Sequence, residues 1–181
     1  MKSVFLIRHG ESTFNAIYAK TLVDPGLIDA PLSPTGETQV VQARAHARAL
    51  NAELVVSTPF TRALQTARGL FGESHPLVIE PLHRERVTAS CDIGRSPRLL
   101  AGDFPDLSFD HIGDPWWHCE DVDANGIPQE PLDIVHERIA QFRDWLRARR
   151  ETRIAVVGHS AFFFHMTNHK FANCEILETT V

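Results

Sequence analysis

Long apolar runs are missing from this chain of 181 residues. A membrane-spanning helix needs about 20 mostly apolar residues, and no stretch approaches that length. Met1-Lys2-Ser3 is followed by only four apolar residues, Val4 to Ile7, before Arg8. That falls short of the apolar region of about 7–15 residues in a signal peptide. Cysteine is scarce. Cys91, Cys119 and Cys174 are odd in number, far apart, and form no C-x-x-C pair. This argues against a disulfide framework and for reduced thiols in a cytoplasmic protein. A surplus of positive charge is lacking too: 18 Lys and Arg against 23 Asp and Glu give a formal net charge of -5. No global basic field exists to draw nucleic acid or an anionic membrane. An anionic partner must be captured locally, by a few arginines in a cleft.

What is present is ordinary for a globular protein: 43% hydrophobic and 23% charged residues, in a length suited to one domain over residues 1–181. Short apolar runs at Val4 to Ile7, Leu54 to Val56, Leu77 to Ile79 and Ile154 to Val157 alternate with helical patterns. The runs are continuous rather than alternating, as strands covered on both faces are. The expected fold is a three-layer α/β/α domain with a mostly parallel sheet. Ser33-Pro34 predicts the cap of a helix running to about Leu50, and Thr58-Pro59 predicts another that Gly72 stops. A third is expected from Leu132, Val135, Ile139, Phe142 and Leu146, which share a face. Val87 to Gln129 breaks the pattern; its Phe104, Phe109, Trp116 and Trp117 mark it as an insertion folded over one end of the sheet, with Trp116-Trp117 read either as part of a lid or as packing.

The polar residues at the strand ends carry the chemistry. Val4 to Ile7 runs directly into Arg8-His9-Gly10-Glu11-Ser12, and ligands of parallel sheets bind where strands deliver their carboxyl ends. Arg62 falls in the first turn of the helix after Thr58-Pro59, where the dipole disfavours a cation by roughly 0.3–1 kcal/mol. A bound anion would reverse that sign; a solvated side chain or an ion pair to Glu11 is the alternative. Val156-Val157-Gly158-His159-Ser160 repeats the theme of a strand ending on a histidine.

These blocks together resemble the histidine phosphatase superfamily, which includes the phosphoglycerate mutases. Leu6-Ile7-Arg8-His9-Gly10-Glu11-Ser12 is similar to its signature. Leu32-Ser33 with Gly36, Ser57-Thr58-Pro59 with Arg62, Ala63 and Thr66, Pro81-Leu82 with Glu85, and Val157-Gly158-His159 follow in the family's order. The resemblance implies that His9 attacks phosphorus to give a phosphohistidine, which water then hydrolyses. It implies that Arg8, Arg62 and His159 hold the phosphoryl oxygens and that Asn15 adds a neutral donor, with Ser160 grouped beside it as substrate-binding. Glu85 would protonate the leaving oxygen and then activate water, which requires a pKa raised by burial and nearby phosphate; a surface ion pair with Arg84 or Arg86 is the alternative. No cofactor and no metal are implied, and the partner is a small phosphorylated substrate; oligomeric state is left open.

Departures narrow the reading. Phe14 stands where many relatives carry tryptophan, and Ser160 replaces a frequent glycine. Val87-Thr88-Ala89-Ser90 lacks the basic and aromatic residues mutases place there. These favour hydrolysis over phosphate relocation, with a mutase-type phosphotransferase or a non-catalytic phospho-ligand-binding module as alternatives. A serine hydrolase fails, because Gly158-His159-Ser160-Ala161-Phe162 lacks the elbow's last glycine and no histidine follows Glu175 or Glu178. A metal site fails on spacing: Asp103, Asp106, Asp110 and Asp114 with His111, His118 and Cys119 match no zinc or calcium pattern. His165 and His169 share a predicted helical face but lack the glutamate of a zinc protease.

Overall fold

The computed structural model describes residues 1–181. Its centre is a five-stranded sheet built from β1 (Ser3–Arg8), β2 (Leu54–Ser57), β3 (Leu77–Ile79), β4 (Arg153–Gly158) and β5 (Ile176–Thr180), in the order β3-β2-β4-β1-β5. Four strands run parallel; β5 pairs antiparallel with β1 at the edge. The central β4 and β1 carry no exposed residue, which is why their sequence reads as unbroken apolar runs.

Alternation along these strands feeds two separate cores. Ile7, Val55, Ala155 and Val157 face α2 (Pro34–Ala49) and α3 (Thr61–Phe71), where Val40, Ala47, Leu64 and Leu70 meet them. Val4, Leu6, Leu54, Val56, Ile154 and Val156 face α5 (Leu132–Ala148) and α6 (Ser160–Thr167), packing on Ile139, Phe142, Phe162 and Phe163. Each fully buried side chain of this kind contributes about 1.5–3 kcal/mol. The result is three layers, α/β/α. No helix is long and apolar enough to cross a membrane.

Local signals worked unevenly. Ser33 caps α2, its Oγ accepting from the Gly36 amide at 3.0 Å with Pro34 at the first helical position. Gly72, at φ 88°, ends α3. Thr58-Pro59, by contrast, does not open α3: the cap position is Phe60, whose ring makes no capping hydrogen bond. The Thr58 hydroxyl is used elsewhere. Helix α1 (Thr13–Thr21), capped by Ser12, was not anticipated, nor was β5. His165 lies in α6, but that helix stops at Thr167, so His169 does not share its face; it pairs with Glu175 at 2.7 Å.

Residues 87–129 do fold against one end of the sheet. They contain a 3-10 turn at Ser90–Asp92 and α4 (Pro97–Asp103), and they bury Phe109, Ile112 and Trp116 in the α2/α3-side core. Trp116 meets Phe60 edge-on at 4.7 Å and donates its indole N–H to the Arg95 carbonyl at 2.8 Å. These contacts hold the Trp116 ring in the core. The acidic residues of this segment are dispersed: Asp103 pairs with Arg95, Asp106 with Arg68, and His111 bonds the Ile79 carbonyl.

Candidate active site

The sheet itself brings the two histidines together. Arg8 and Gly158 are register partners at the ends of β1 and β4, and the His9 amide donates to the Gly158 carbonyl at 3.0 Å. The imidazoles of His9 and His159 emerge side by side, 5.1 Å between ring centroids, both buried. The backbone of His9 is pinned further by Asn173, whose Nδ2 donates to its carbonyl at 2.9 Å.

The turn after His9 needs glycine on both sides. A Cβ on Gly10 would lie 2.8 Å from the Gly36 carbonyl oxygen, and one on Gly36 would lie 2.0 Å from that of Glu11. This backbone-to-backbone approach locks the strand exit onto the start of α2. The Ser33 amide donates to the Glu11 carbonyl at 2.9 Å and its hydroxyl to Glu11 Oε1 at 2.6 Å. The Gly10 amide donates to Thr66 Oγ1 on α3 at 3.1 Å.

His9 is held in one tautomer. Its Nδ1 stands 2.7 Å from the Gly10 carbonyl, and a carbonyl only accepts, so the ring proton sits on Nδ1. Nε2 is then an unprotonated lone pair, receiving a hydrogen bond from Arg62 Nε at 3.3 Å. Burial, with the charges of Arg62 and Arg8 adding to it, holds the His9 pKa well below the ordinary value. His159 is depressed in the same way by burial, then by Arg62 and His9. Its Nε2 lies 2.7 Å from Thr58 Oγ1, and its buried Nδ1 has no partner in the protein.

The cations surround this pair. Arg62, on the first turn of α3, is buried with its guanidinium 4.3 Å from the centre of the Phe60 ring. Its NH1 donates to the Cys91 carbonyl at 2.8 Å and NH2 pairs with Asp92 at 3.3 Å. Glu11 is not its partner. Arg8 is half-buried, donates NH1 to the Phe171 carbonyl at 2.8 Å, and leaves Nε without a partner. Burial lowers its pKa, offset by the nearby Glu85 carboxylate.

Glu85 joins the group through α6. Its two oxygens accept from the amides of Ala161 at 3.0 Å and Phe162 at 2.9 Å, so it caps the helix that begins at Ser160. Neither neighbouring arginine pairs with it. Arg84 bonds Glu130 at 2.8 Å, Arg86 Nε donates to the Glu130 carbonyl, and Arg138 grips both Glu130 oxygens. Asn15 sits at the mouth of α1, its Oδ1 accepting from the Ser12 amide in a capping box and its NH2 unpartnered. Ser160 is half-buried at the start of α6. All seven residues singled out in the sequence thus belong to four segments that begin at the carboxyl ends of β1, β2, β3 and β4.

A family model described as the histidine phosphatase superfamily (branch 1) matches residues 4–173. The chain belongs to that superfamily. Among relatives, a phosphoglycerate mutase-like protein 1 of Arabidopsis thaliana is 27% identical, over 97% of this chain and 79% of its own length. A glucosyl-3-phosphoglycerate phosphatase of Mycolicibacterium vanbaalenii is 25% identical, over 92% of this chain and 73% of its own. The solved alpha-ribazole phosphatase from Shigella flexneri shares the fold at a TM-score of 0.66 with 20% identity, covering 97% of this chain and 89% of that one.

Around the two histidines, three further residues escaped the sequence reading. Asp92 is the buried carboxylate on Arg62. Thr58 is the hydroxyl on His159. His83, fully buried, bonds the Val157 carbonyl at 3.1 Å and stacks on Phe142 at 4.6 Å. Only Thr58 carried a local signal, and it was assigned to a helix cap.

Proposed function

We propose that this protein is a metal-independent phosphatase that hydrolyses small phosphate monoesters through a phosphohistidine on His9. The observation that carries the reading is the His9 ring: proton on Nδ1, lone pair on Nε2, and Arg62 Nε already beside that nitrogen. A neutral, aimed imidazole is a competent nucleophile. Nε2 attacks phosphorus as the P–O ester bond breaks, and Glu85 gives the leaving alcohol its proton. Water then attacks the phosphohistidine, Glu85 takes the proton back, and the N–P bond breaks to release inorganic phosphate. Arg8, Arg62, His159 and Asn15 bind the phosphoryl oxygens, and Ser160 lies at the substrate's edge. Losing one such preorganised donor costs about 2.7–4 kcal/mol of barrier. The positive charge these oxygens need is supplied by arginine. Relatives named as phosphatases support hydrolysis. The mutase-like relative supports a second reading, a phosphotransferase that returns the phosphate to another hydroxyl. The cytoplasm remains the expected compartment.

The test is release of inorganic phosphate from p-nitrophenyl phosphate and a panel of small phosphomonoesters, with chelator present and His9→Ala alongside. Acid-labile labelled phosphate is expected on the wild type and not on the variant. Activity lost with chelator defeats the metal-free route, and label trapped on another side chain defeats the nucleophile. Isomerised product without free phosphate favours the mutase. No turnover of any substrate favours a binding module.

A further inference from the structure

Five of the ten exposed large hydrophobic side chains lie between Ile17 and Ile28, in the stretch that follows the nucleophile's turn. Single apolar residues on a surface are ordinary, but a cluster of them beside a candidate active site marks a place where something apolar binds. Helical spacing sorts the cluster. Asn15, Tyr18, Ala19 and Leu22 stand at i, i+3, i+4 and i+7, and so run down one face of α1 to its C-cap. Ile17 and Lys20 fall on the opposite side.

Tyr18 continues the site. Helical side chains lean toward the N-terminus, and its ring stacks on that of Phe14, 5.5 Å between centroids and 13° between planes. It therefore covers the first turn of α1, the turn that carries Asn15 and its unpartnered NH2. Tyr18 is still 43% exposed, and Leu22, Val23 and Ile28 are 75%, 66% and 54% exposed. This rim is braced rather than loose. Phe14 packs on Ala30 and Cys91, and the Cys91 carbonyl holds Arg62 at 2.8 Å. Asp24 accepts from the Ser90 amide at 2.8 Å, and Asp29 from the Thr61 amide at 2.8 Å. The Asn15 face of α1 carries no charged side chain. A second anionic group on a substrate meets no partner there, whereas a hydrocarbon meets a preformed wall.

We propose that Tyr18 and Leu22, with Val23 and Ile28 beyond them, are specificity residues that bind the hydrocarbon part of a phosphomonoester whose phosphoryl group lies at His9 and Asn15. The favoured substrates are then phosphate monoesters of hydrophobic alcohols, not of sugar acids. The wall takes Asn15 as a phosphoryl ligand and in that respect rests on the phosphatase reading.

The test compares kcat/KM for ethyl, butyl, hexyl and octyl phosphate below their micelle concentrations, with glycerol 3-phosphate as the polar control. In the wild type it is expected to rise about twofold per methylene, the gain from covering one side of each CH2. That amounts to on the order of 15-fold from butyl to octyl, carried by KM. In Tyr18→Ser/Leu22→Ser the same ratio is expected to fall to about threefold or less. A flat series, or a steep one that the substitutions leave steep, overturns the proposal. So does a wild type that self-associates in sedimentation and loses that association in the variant, since the face is then a contact between copies. Tyr18 is the only tyrosine of the chain, so 3-fluorotyrosine labels it alone and needs no substitution. Octylphosphonate, which is not hydrolysed, is expected to shift its 19F resonance, and methylphosphonate to leave it in place. Equal shifts from both, or none from either, overturn the wall. An octylphosphonate shift without turnover of any ester would sink the phosphatase reading and leave the wall standing. Turnover of all the esters at one rate, with an unmoved resonance, would do the reverse.

Discussion

Acid should destabilise this protein through His83, a residue outside the chemistry. The ring is fully buried between Phe142 and the end of β4, with one nitrogen on the Val157 carbonyl and the other without a partner. Burial lowers its pKa to about 3, against about 6.5 in the unfolded chain. The unfolded state therefore binds the proton first. Stability is fully present above about pH 6.5 and falls as the pH drops toward 3. At pH 5 the linkage integral gives about 2 kcal/mol lost from this side chain alone, and each further unit costs about 1.4 kcal/mol. His9 and His159 are depressed in the same direction and add to the slope. His83→Leu removes one of the three. At neutral pH it should cost about 1–3 kcal/mol, because the Val157 carbonyl loses its donor. By pH 5 that deficit should shrink by about 2 kcal/mol. Urea unfolding at pH 7.5, 6.5, 5.5 and 4.5, read at constant m, measures the gap. Parallel stability curves for wild type and variant would refute the reasoning.

Gly36→Ala should destabilise by about 1–3 kcal/mol and cut turnover, because its Cβ would sit 2.0 Å from the Glu11 carbonyl oxygen beside the nucleophile; thermal melting and phosphate release measure both. Thr58→Val strips the partner from a buried His159 nitrogen and should cost about 1–3 kcal/mol, whereas Thr58→Ser should recover most of it; equal losses would contradict the role of the hydroxyl. Glu85→Ala should lose about 0.5–2 kcal/mol as a helix cap as well as activity, while Glu85→Gln keeps an acceptor for α6 and should retain more stability than activity. Trp116→Ala, which empties the space against Phe60 and Gly94, should lower Tm by an amount matching about 3–5 kcal/mol and reduce activity evenly across substrates; an altered substrate ranking would instead mark it as a lid.

The central sheet was legible because its strands are covered on both faces, so β1, β2 and β4 appear as unbroken apolar runs. The edge strand β5 was not, since Glu178 and Thr180 are exposed and its pattern is weak. Capping chemistry was read correctly where it acts locally, as at Ser33, and misread where a side chain serves a distant partner. Thr58 looks like a cap, yet its hydroxyl meets a histidine 101 positions away. Asp92 carries no local mark at all: its meaning comes from Arg62, 30 positions earlier. The site residues that a spacing rule can reach are those at strand exits and helix starts. Those that tune them arrive from the irregular segment, where no period points the way.

One feature of the sheet governs how the site lives and dies. The two imidazoles follow directly on the last rung of the β1–β4 ladder, one of the two inner pairings of the sheet. Fraying at the periphery leaves their spacing untouched, and nothing short of unzipping the middle can part them. Activity in a weakened variant should accordingly track the folded fraction, with each surviving molecule fully competent rather than every molecule partly so.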